Sequence, residues 1–359
     1  MSNWIDNIKK SVREMEGYKE PPFEARIKLN QNENPFPVPD DVKNEILDNV
    51  KKIEWGRYPE NDPSELRNKL GDYVGYKPEG ILVGNGSDEM ILSVILATIS
   101  KKDTILIPSP TFIVYILLGN ILEGELIKIN LKENFQFDVE KMIIARKKNN
   151  PKLTFIPSPN NPTGCILTVN EIKEILNAGN GILAIDEAYI QFSDNPRGAI
   201  DLIDECQNLI ILRTFSKALC SAGLRIGFII TNPELARQIR KTILPYNMGI
   251  FTRVAALKII EKKNIFEKHF GYIIEQREYL YDELKKINGI KAYPSQANFI
   301  LFECLEKEPK EVFKKLHKNG ILIRDMTSYP MLSKAFRVTV GKKENNEVFI
   351  EKLREIMES

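Results

Sequence analysis

The chain of 359 residues carries 51 Lys+Arg against 49 Asp+Glu and is 43% hydrophobic and 28% charged, a soluble globular balance with room for more than one packed unit. Its net charge of +2 excludes a general electrostatic footprint for nucleic acid or membrane. Four scattered cysteines and only two histidines, His269 and His317, argue against a zinc site and against Ser-His or Cys-His triads.

In chain order, residues 1–20 are charged and amphipathic, without an apolar core of signal-peptide length. No later segment reaches the length of a membrane span, so the expected location is the cytoplasm, with free thiols. Residues 35–39 read as a turn-rich crossing. Residues 81–83 read as a strand running into Gly84-Asn85-Gly86-Ser87-Asp88-Glu89 and then an apolar helix over 90–99. Strand, glycine turn and helix start make an anion site from backbone N–H groups and the helix dipole. The third glycine of a dinucleotide fingerprint and the Gly-Lys-Ser/Thr of a P-loop are both missing, so the anion is not a nucleotide phosphate. Ser87 equally suits an ordinary N-cap, with Asp88 and Glu89 favouring the first turn; both readings hold at once.

Strands are expected at 104–107, 153–156, 182–185, 209–212 and 226–230, alternating with helical patterns. That is the signature of an α/β fold with a mostly parallel sheet covered on both faces. The candidate site residues follow the strand ends, where open α/β sheets place ligands. After 153–156 a stiff Pro-rich turn carries Asn161. After 182–185 comes Asp186-Glu187-Ala188-Tyr189. Asp186 is either a helix N-cap or an anion set against a protonated ring nitrogen. After 209–212 comes Thr214-Phe215-Ser216-Lys217-Ala218, with Arg225 a short way on. A lysine at the end of a buried strand is costly without a chemical task. Lys217 is either a solvated loop residue or the amine that forms a Schiff base with an aldehyde cofactor, whose phosphate Ser216 and Arg225 would hold. Cys220 reads as a small buried thiol, and the two histidines as helix-face or surface residues. Beyond residue 252, helical patterns at 254–263 and 265–286 precede strand-like runs at 297–302, 321–323 and 337–340, which fit a smaller α+β domain. The expected organisation is an N-terminal arm, 1–31, packing on the small domain; a large domain, 32–250; and a small C-terminal domain, 251–359.

Gly-Asn-Gly-Ser-Asp-Glu, Asn-Asn-Pro-Thr-Gly, Asp-Glu-Ala-Tyr and Ser-Lys-Ala occur here in the order found in the fold-type I pyridoxal-phosphate enzymes, the aspartate aminotransferase superfamily, which this chain resembles over nearly its whole length. Within it, Leu29-Asn30-Gln31-Asn32-Glu33-Asn34-Pro35, Arg57-Tyr58-Pro59, Leu244-Pro245-Tyr246-Asn247 and Phe336-Arg337-Val338-Thr339-Val340-Gly341 are similar to the histidinol-phosphate aminotransferases. The resemblance implies pyridoxal 5'-phosphate as cofactor, histidinol phosphate and glutamate/2-oxoglutarate as substrates, and a homodimer. By the same resemblance Lys217 forms the imine and shuttles the proton, Asp186 pairs with the pyridine nitrogen, and Asn161 and Tyr189 contact the phenolic oxygen. Gly86, Ser87, Asp88, Ser216 and Arg225 line the phosphate site, and Phe112 stacks on the ring. Tyr58 reaches the neighbouring subunit's cofactor phosphate, while Arg337, Arg324 and Asn34 bind substrate. The family often carries Tyr in an N-terminal Pro-Tyr-x-x-Ala-Arg segment. Here Phe23 stands in its place, and the substrate phosphate either loses a hydrogen bond or receives one from Tyr18.

Overall fold

The computed structural model describes residues 4–17 and 24–359. Phe23 and Tyr18 lie outside the described residues. The strands are β1 (Ile27–Leu29), β2 (Ile81–Asn85), β3 (Thr104–Ser109), β4 (Glu125–Asn130), β5 (Leu153–Pro157), β6 (Ile182–Asp186), β7 (Leu209–Thr214), β8 (Ile226–Thr231), β9 (Ile290–Ala292), β10 (Phe299–Cys304), β11 (Ile321–Asp325) and β12 (Ala335–Thr339). Among the described residues they form a seven-stranded sheet, ordered β2-β8-β7-β6-β5-β3-β4, and a five-stranded sheet, ordered β1-β11-β12-β10-β9.

The large sheet forms where the sequence offers unbroken apolar runs. Every residue of β5, β7 and β8 is buried, as expected for strands covered by helices on both faces. β3 to β7 run parallel, so β3, β5, β6 and β7 all end at one edge. β8 runs antiparallel to both β7 and β2. The linker between β7 and β8 holds only a three-residue helical turn, too short for the crossover that parallel pairing needs. That reversal places Arg225, the residue just before β8, beside the end of β7. The sequence pattern gave no sign of β4, whose alternation is blurred because it is the sheet's edge and half-exposed.

The division between the domains falls later than residue 250. The helix Ile250–Glu261 packs on the helices Asp40–Lys51 and Ser64–Val74, with Ala255 against Val42, Ile46 and Val50, and so belongs to the large domain. The 23-residue helix Lys263–Lys285 then crosses between the domains. Its Phe266 is buried in the core of the large domain, whereas Ile273, Leu280 and Leu284 are buried in that of the small one. The N-terminal arm is also divided. β1 adds a parallel edge strand to the small-domain sheet. The short helix Lys10–Arg13 instead meets the helix Ile113–Ile121 of the large domain.

Behind the site, Arg213 and Glu187 form a fully buried ion pair at 2.8 Å. Arg213 also donates to the carbonyls of Pro196 and Arg197, and Glu187 accepts from Ala199 N–H. The pair therefore ties the loop after Tyr189 to β7.

Candidate active site

A cavity of about 590 Å³ opens at the carboxyl edge of the large sheet, facing β11 and β12. It is lined by Ser87, Asp88, Phe112, Asn161, Asp186, Tyr189, Ser216, Lys217, Arg225, Arg324 and Arg337, eleven of the residues singled out in the sequence. They come together because each follows a strand that ends at this edge, or sits on the small-domain strands across from it.

One end is an anion cradle. The helix Gly86–Thr98 begins here with its N–H groups and positive dipole end. Arg225 Nη1 lies 3.5 Å from Ser216 Oγ, and Arg225 Nη2 pairs with Asp88 at 2.9 Å on the exposed rim. Thr214 fixes Ser216, with the two hydroxyl oxygens 2.9 Å apart and Ser216 N–H donating to Thr214 Oγ1. Gly86 has φ +82°, and a Cβ there would sit 2.6 Å from Arg225 Nη2. The positive φ favours glycine at this position, and a side chain there would also push the Arg225 guanidinium aside.

At the other end Asp186 is 4% exposed. Its Oδ2 accepts from Tyr115 Oη at 2.7 Å and its Oδ1 from Ala188 N–H at 3.1 Å. Burial lifts its carboxyl to about 6, opposed by those two hydrogen bonds. Tyr115 is itself fully buried, stacked on Phe155 at 4.5 Å, and its phenol is pushed well above the usual range by burial and by the neighbouring carboxylate.

Between these ends lies Lys217. Its Nζ donates to Gln31 O at 3.0 Å and stands 5.8 Å from the centre of the Tyr189 ring. Burial, and then the positive charge of Arg337, pull its amine down to about 8. Arg337 is 6% exposed, lies over the Phe299 ring and faces Arg324 in the β11–β12 register. It donates Nη2 to Asn30 O at 2.7 Å and Nη1 to Asn161 Oδ1. Because a guanidinium can only donate, this contact fixes the Asn161 amide with its oxygen toward Arg337 and its NH₂ as a donor elsewhere.

Two sequence-derived candidates stand apart from the cavity. Asn34 was expected to bind substrate. Its NH₂ instead donates to the carbonyls of Lys217 and Ala218, at 3.1 and 3.2 Å, and its Oδ1 accepts from Phe36 N–H. With those atoms committed, it shapes the lysine loop from behind. Tyr58 is 82% exposed and stacks on Tyr246 at 4.6 Å, outside the cavity of its own protomer. His269 is part-buried and stacked on Phe36, not on the open surface. Asn30, Gln31 and Asn32, read only as part of a motif, and Tyr115, Met326 and Tyr329, which the sequence did not single out, also line the cavity. Tyr115 had one local signal, an aromatic residue three positions after Phe112 and so on the same helix face.

An amine of lowered basicity, a buried carboxylate and an anion cradle, converging on one cavity at the edge of a parallel sheet, define an enzyme that carries a phosphorylated aldehyde cofactor. The chain belongs to the class I and II aminotransferases, whose family model matches residues 24–353. Within that class it belongs with the histidinol-phosphate aminotransferases. It is 37% identical to the histidinol-phosphate aminotransferase of Caldanaerobacter subterraneus subsp. tengcongensis over 98% of this chain and 99% of that one. A crystal structure of the histidinol-phosphate aminotransferase from Clostridium acetobutylicum superposes with a TM-score of 0.85 at 26% identity, over 92% of this chain and 99% of that chain. The fold is also that of the enzyme of the same name from Sinorhizobium meliloti in complex with pyridoxal-5'-phosphate, with a TM-score of 0.86 at 18% identity, over 97% of each chain.

Proposed function

We propose that this chain is a pyridoxal-phosphate-dependent transaminase that moves the amino group of L-histidinol phosphate to 2-oxoglutarate, giving imidazole acetol phosphate and glutamate in histidine biosynthesis. The observation that carries the reading is the placement of Lys217 between the anion cradle and Asp186, with Arg324 and Arg337 side by side on the substrate wall. The residues present fit the cofactor. Ser87, Ser216, Arg225 and the N–H groups after Gly86 suit its phosphate, Asp186 suits a cationic ring nitrogen, and Phe112 lines the wall where a ring would stack. When bound, pyridoxal phosphate supplies an aldehyde that condenses with amines and a ring that withdraws electrons from the adjacent carbon.

Lys217 does the proton work at Nζ. An amine lowered to about 8 is neutral at neutral pH far more often than an ordinary lysine, so it can act as nucleophile and then as base without a separate activator. The Gln31 carbonyl accepts a hydrogen bond from it and gives a released lysine a defined resting place. Asp186, ionised at neutral pH, keeps a bound ring nitrogen protonated. Asn161 and Tyr189 would donate to the cofactor's phenolic oxygen. Arg337 and Arg324 present planar forks that suit the phosphate of histidinol phosphate in one half-reaction and the carboxylates of glutamate in the other.

The working form is a homodimer in the cytoplasm. Tyr58 of one protomer would reach the partner's phosphate cradle, a role that suits an aromatic left 82% exposed in a segment that also exposes Trp55. The test is a single half-reaction. The protein loaded with pyridoxal phosphate is mixed with L-histidinol phosphate, and the cofactor absorbance is followed while imidazole acetol phosphate is assayed. Conversion to the pyridoxamine form with release of that ketone is the expected result. Conversion only with phenylalanine or tyrosine, or carbon dioxide released from threonine phosphate, would refute the assignment.

A further inference from the structure

A backbone N–H, a hydroxyl and a side-chain amide behind Tyr189 form a hydrogen-bond chain that ends on its phenol oxygen. It begins at the backbone of Asn32, which has φ +54° and is fully buried. Asn32 N–H donates to Thr339 Oγ1 at 2.9 Å. A backbone N–H can only donate, so the threonine oxygen accepts there; it could accept a second time, but Thr339 is buried and the one acceptor for its own hydrogen among the described residues is Asn32 Oδ1. That hydrogen meets Asn32 Oδ1 at 3.3 Å. The amide is thereby oriented, with oxygen toward Thr339 and NH₂ toward Tyr189, and Asn32 Nδ2 donates to Tyr189 Oη at 3.0 Å. Tyr189 Oη is then an acceptor on this side, and its single hydrogen is turned away from the amide. Tyr189 lines the cavity. A further bond, from Asn298 Nδ2 to Asn32 O at 3.1 Å, pins the residue in place.

Resting on the cofactor reading above, we infer that Asn32 and Thr339 are positioning residues that fix Tyr189 as a hydrogen-bond donor into the cavity, aimed at an oxyanion of the bound ligand. An unsupported tyrosine hydroxyl can donate or accept at will. The Thr339–Asn32 relay removes that choice, so a negative oxygen in the cavity meets a preorganised donor. The left-handed backbone at Asn32 suits the task. Asn, Asp and Gly tolerate it, and among these only Asn offers an amide of both polarities.

The test uses the full chain loaded with pyridoxal phosphate and reads the pH midpoint of the cofactor's visible absorbance. A donor to the phenolic oxygen favours the deprotonated chromophore, so losing it raises the midpoint. Asn32→Asp keeps the size and the backbone conformation but replaces the donor by an acceptor, which draws the tyrosine hydrogen out of the cavity. The midpoint is expected to rise by about one to two pH units, as in Tyr189→Phe, with no further rise in the double variant. Asn32→Gly keeps the positive φ and merely frees the hydroxyl, so it should shift the midpoint less. A wild-type midpoint in Asn32→Asp overturns the relay, and so does an unmoved midpoint in Tyr189→Phe. Should Asn32→Asp fail to fold, Thr339→Val carries the same test, with a partial rise expected and no rise overturning. If the wild-type chain develops no absorbance at all, the cofactor reading fails instead. The relay is then read in the bare protein by NMR of ring-labelled tyrosine, assigned with Tyr189→Phe: the Tyr189 phenol must titrate higher in Asn32→Asp, and an unchanged phenol overturns the relay.

Discussion

Tyr115→Phe isolates one hydrogen bond in a fully buried setting. The ring stays, stacked on Phe155 at 4.5 Å and edge-on to Phe112 at 5.6 Å, so packing is preserved and only the 2.7 Å bond to Asp186 Oδ2 is lost. A hydrogen bond to a charged group contributes about 1.5–3 kcal/mol, and each 1.36 kcal/mol moves a pKa by one. Asp186 already stands at about 6 because burial disfavours its charge and the Tyr115 bond opposes that. Without the bond its carboxyl should rise by about one to two pH units. The ionised form is the one that pairs with a cationic ring nitrogen. Affinity for pyridoxal phosphate is therefore full above the carboxyl's pKa and falls as pH drops through it. Equilibrium dialysis of the bare protein with the cofactor, from pH 5 to 9, reads this directly. The wild-type acid limb should lie near pH 6, and that of Tyr115→Phe one to two pH units higher, with affinities converging at pH 9. An acid limb left at its wild-type position would refute the reasoning. So would an equal loss of affinity at every pH, which would make Tyr115 a packing residue and nothing more.

Lys217 should load cofactor faster as pH rises, about tenfold per unit below pH 8 and levelling above it, because the neutral amine is the attacking form. Stopped-flow absorbance on the bare protein measures this, and a midpoint near 10.5 would contradict the effect of burial. The charge of Arg337 is the second cause of the shift, so Arg337→Ala should move that midpoint up. The same variant should lose both half-reactions, with kcat/KM falling by about a hundredfold or more for histidinol phosphate and for glutamate alike, since one buried charge serves both. A loss confined to one substrate in steady-state assays would refute shared recognition.

Most of the large sheet was legible because its strands are unbroken apolar runs, and the residues right after each run are those that line the cavity. Asp186 follows Ile182–Ile185 directly, and Lys217 comes soon after Leu212, so strand ends and chemistry coincide in the sequence. What was hidden depends on contacts that leave no local pattern. Asn32 and Tyr189 are 157 positions apart, and Lys217 Nζ and Gln31 O are brought together across 186. The reversed direction of β8 follows from a short linker, which a strand pattern does not weigh. Where one unit gives way to the other is not legible in two successive helical patterns; packing sets Ile250–Glu261 against the large-domain helices and most of Lys263–Lys285 against the small-domain core. The motif around Asn34 implies substrate binding, and no local pattern shows the scaffold it also forms: the Asn34 amide holds the carbonyls of Lys217 and Ala218 in the lysine loop.

That scaffold explains why the short stretch 30–32 matters more than its exposure suggests. It leaves the small-domain sheet at β1, which pairs with the strand bearing Arg324. Three consecutive residues then touch three different functional groups: Asn30 O accepts from Arg337, Gln31 O accepts from Lys217, and Asn32 donates to Tyr189. The contacts of Arg337, on the small domain, and of Lys217, on the large one, therefore meet on one strap. Any substrate that pulls Arg337 off Asn30 acts on the same backbone that holds the lysine and orients the tyrosine. A side-chain substitution at Gln31 should be mild, because its contribution to Lys217 is a backbone carbonyl. Changes that redirect the chain at Asn32 should be felt by all three groups at once.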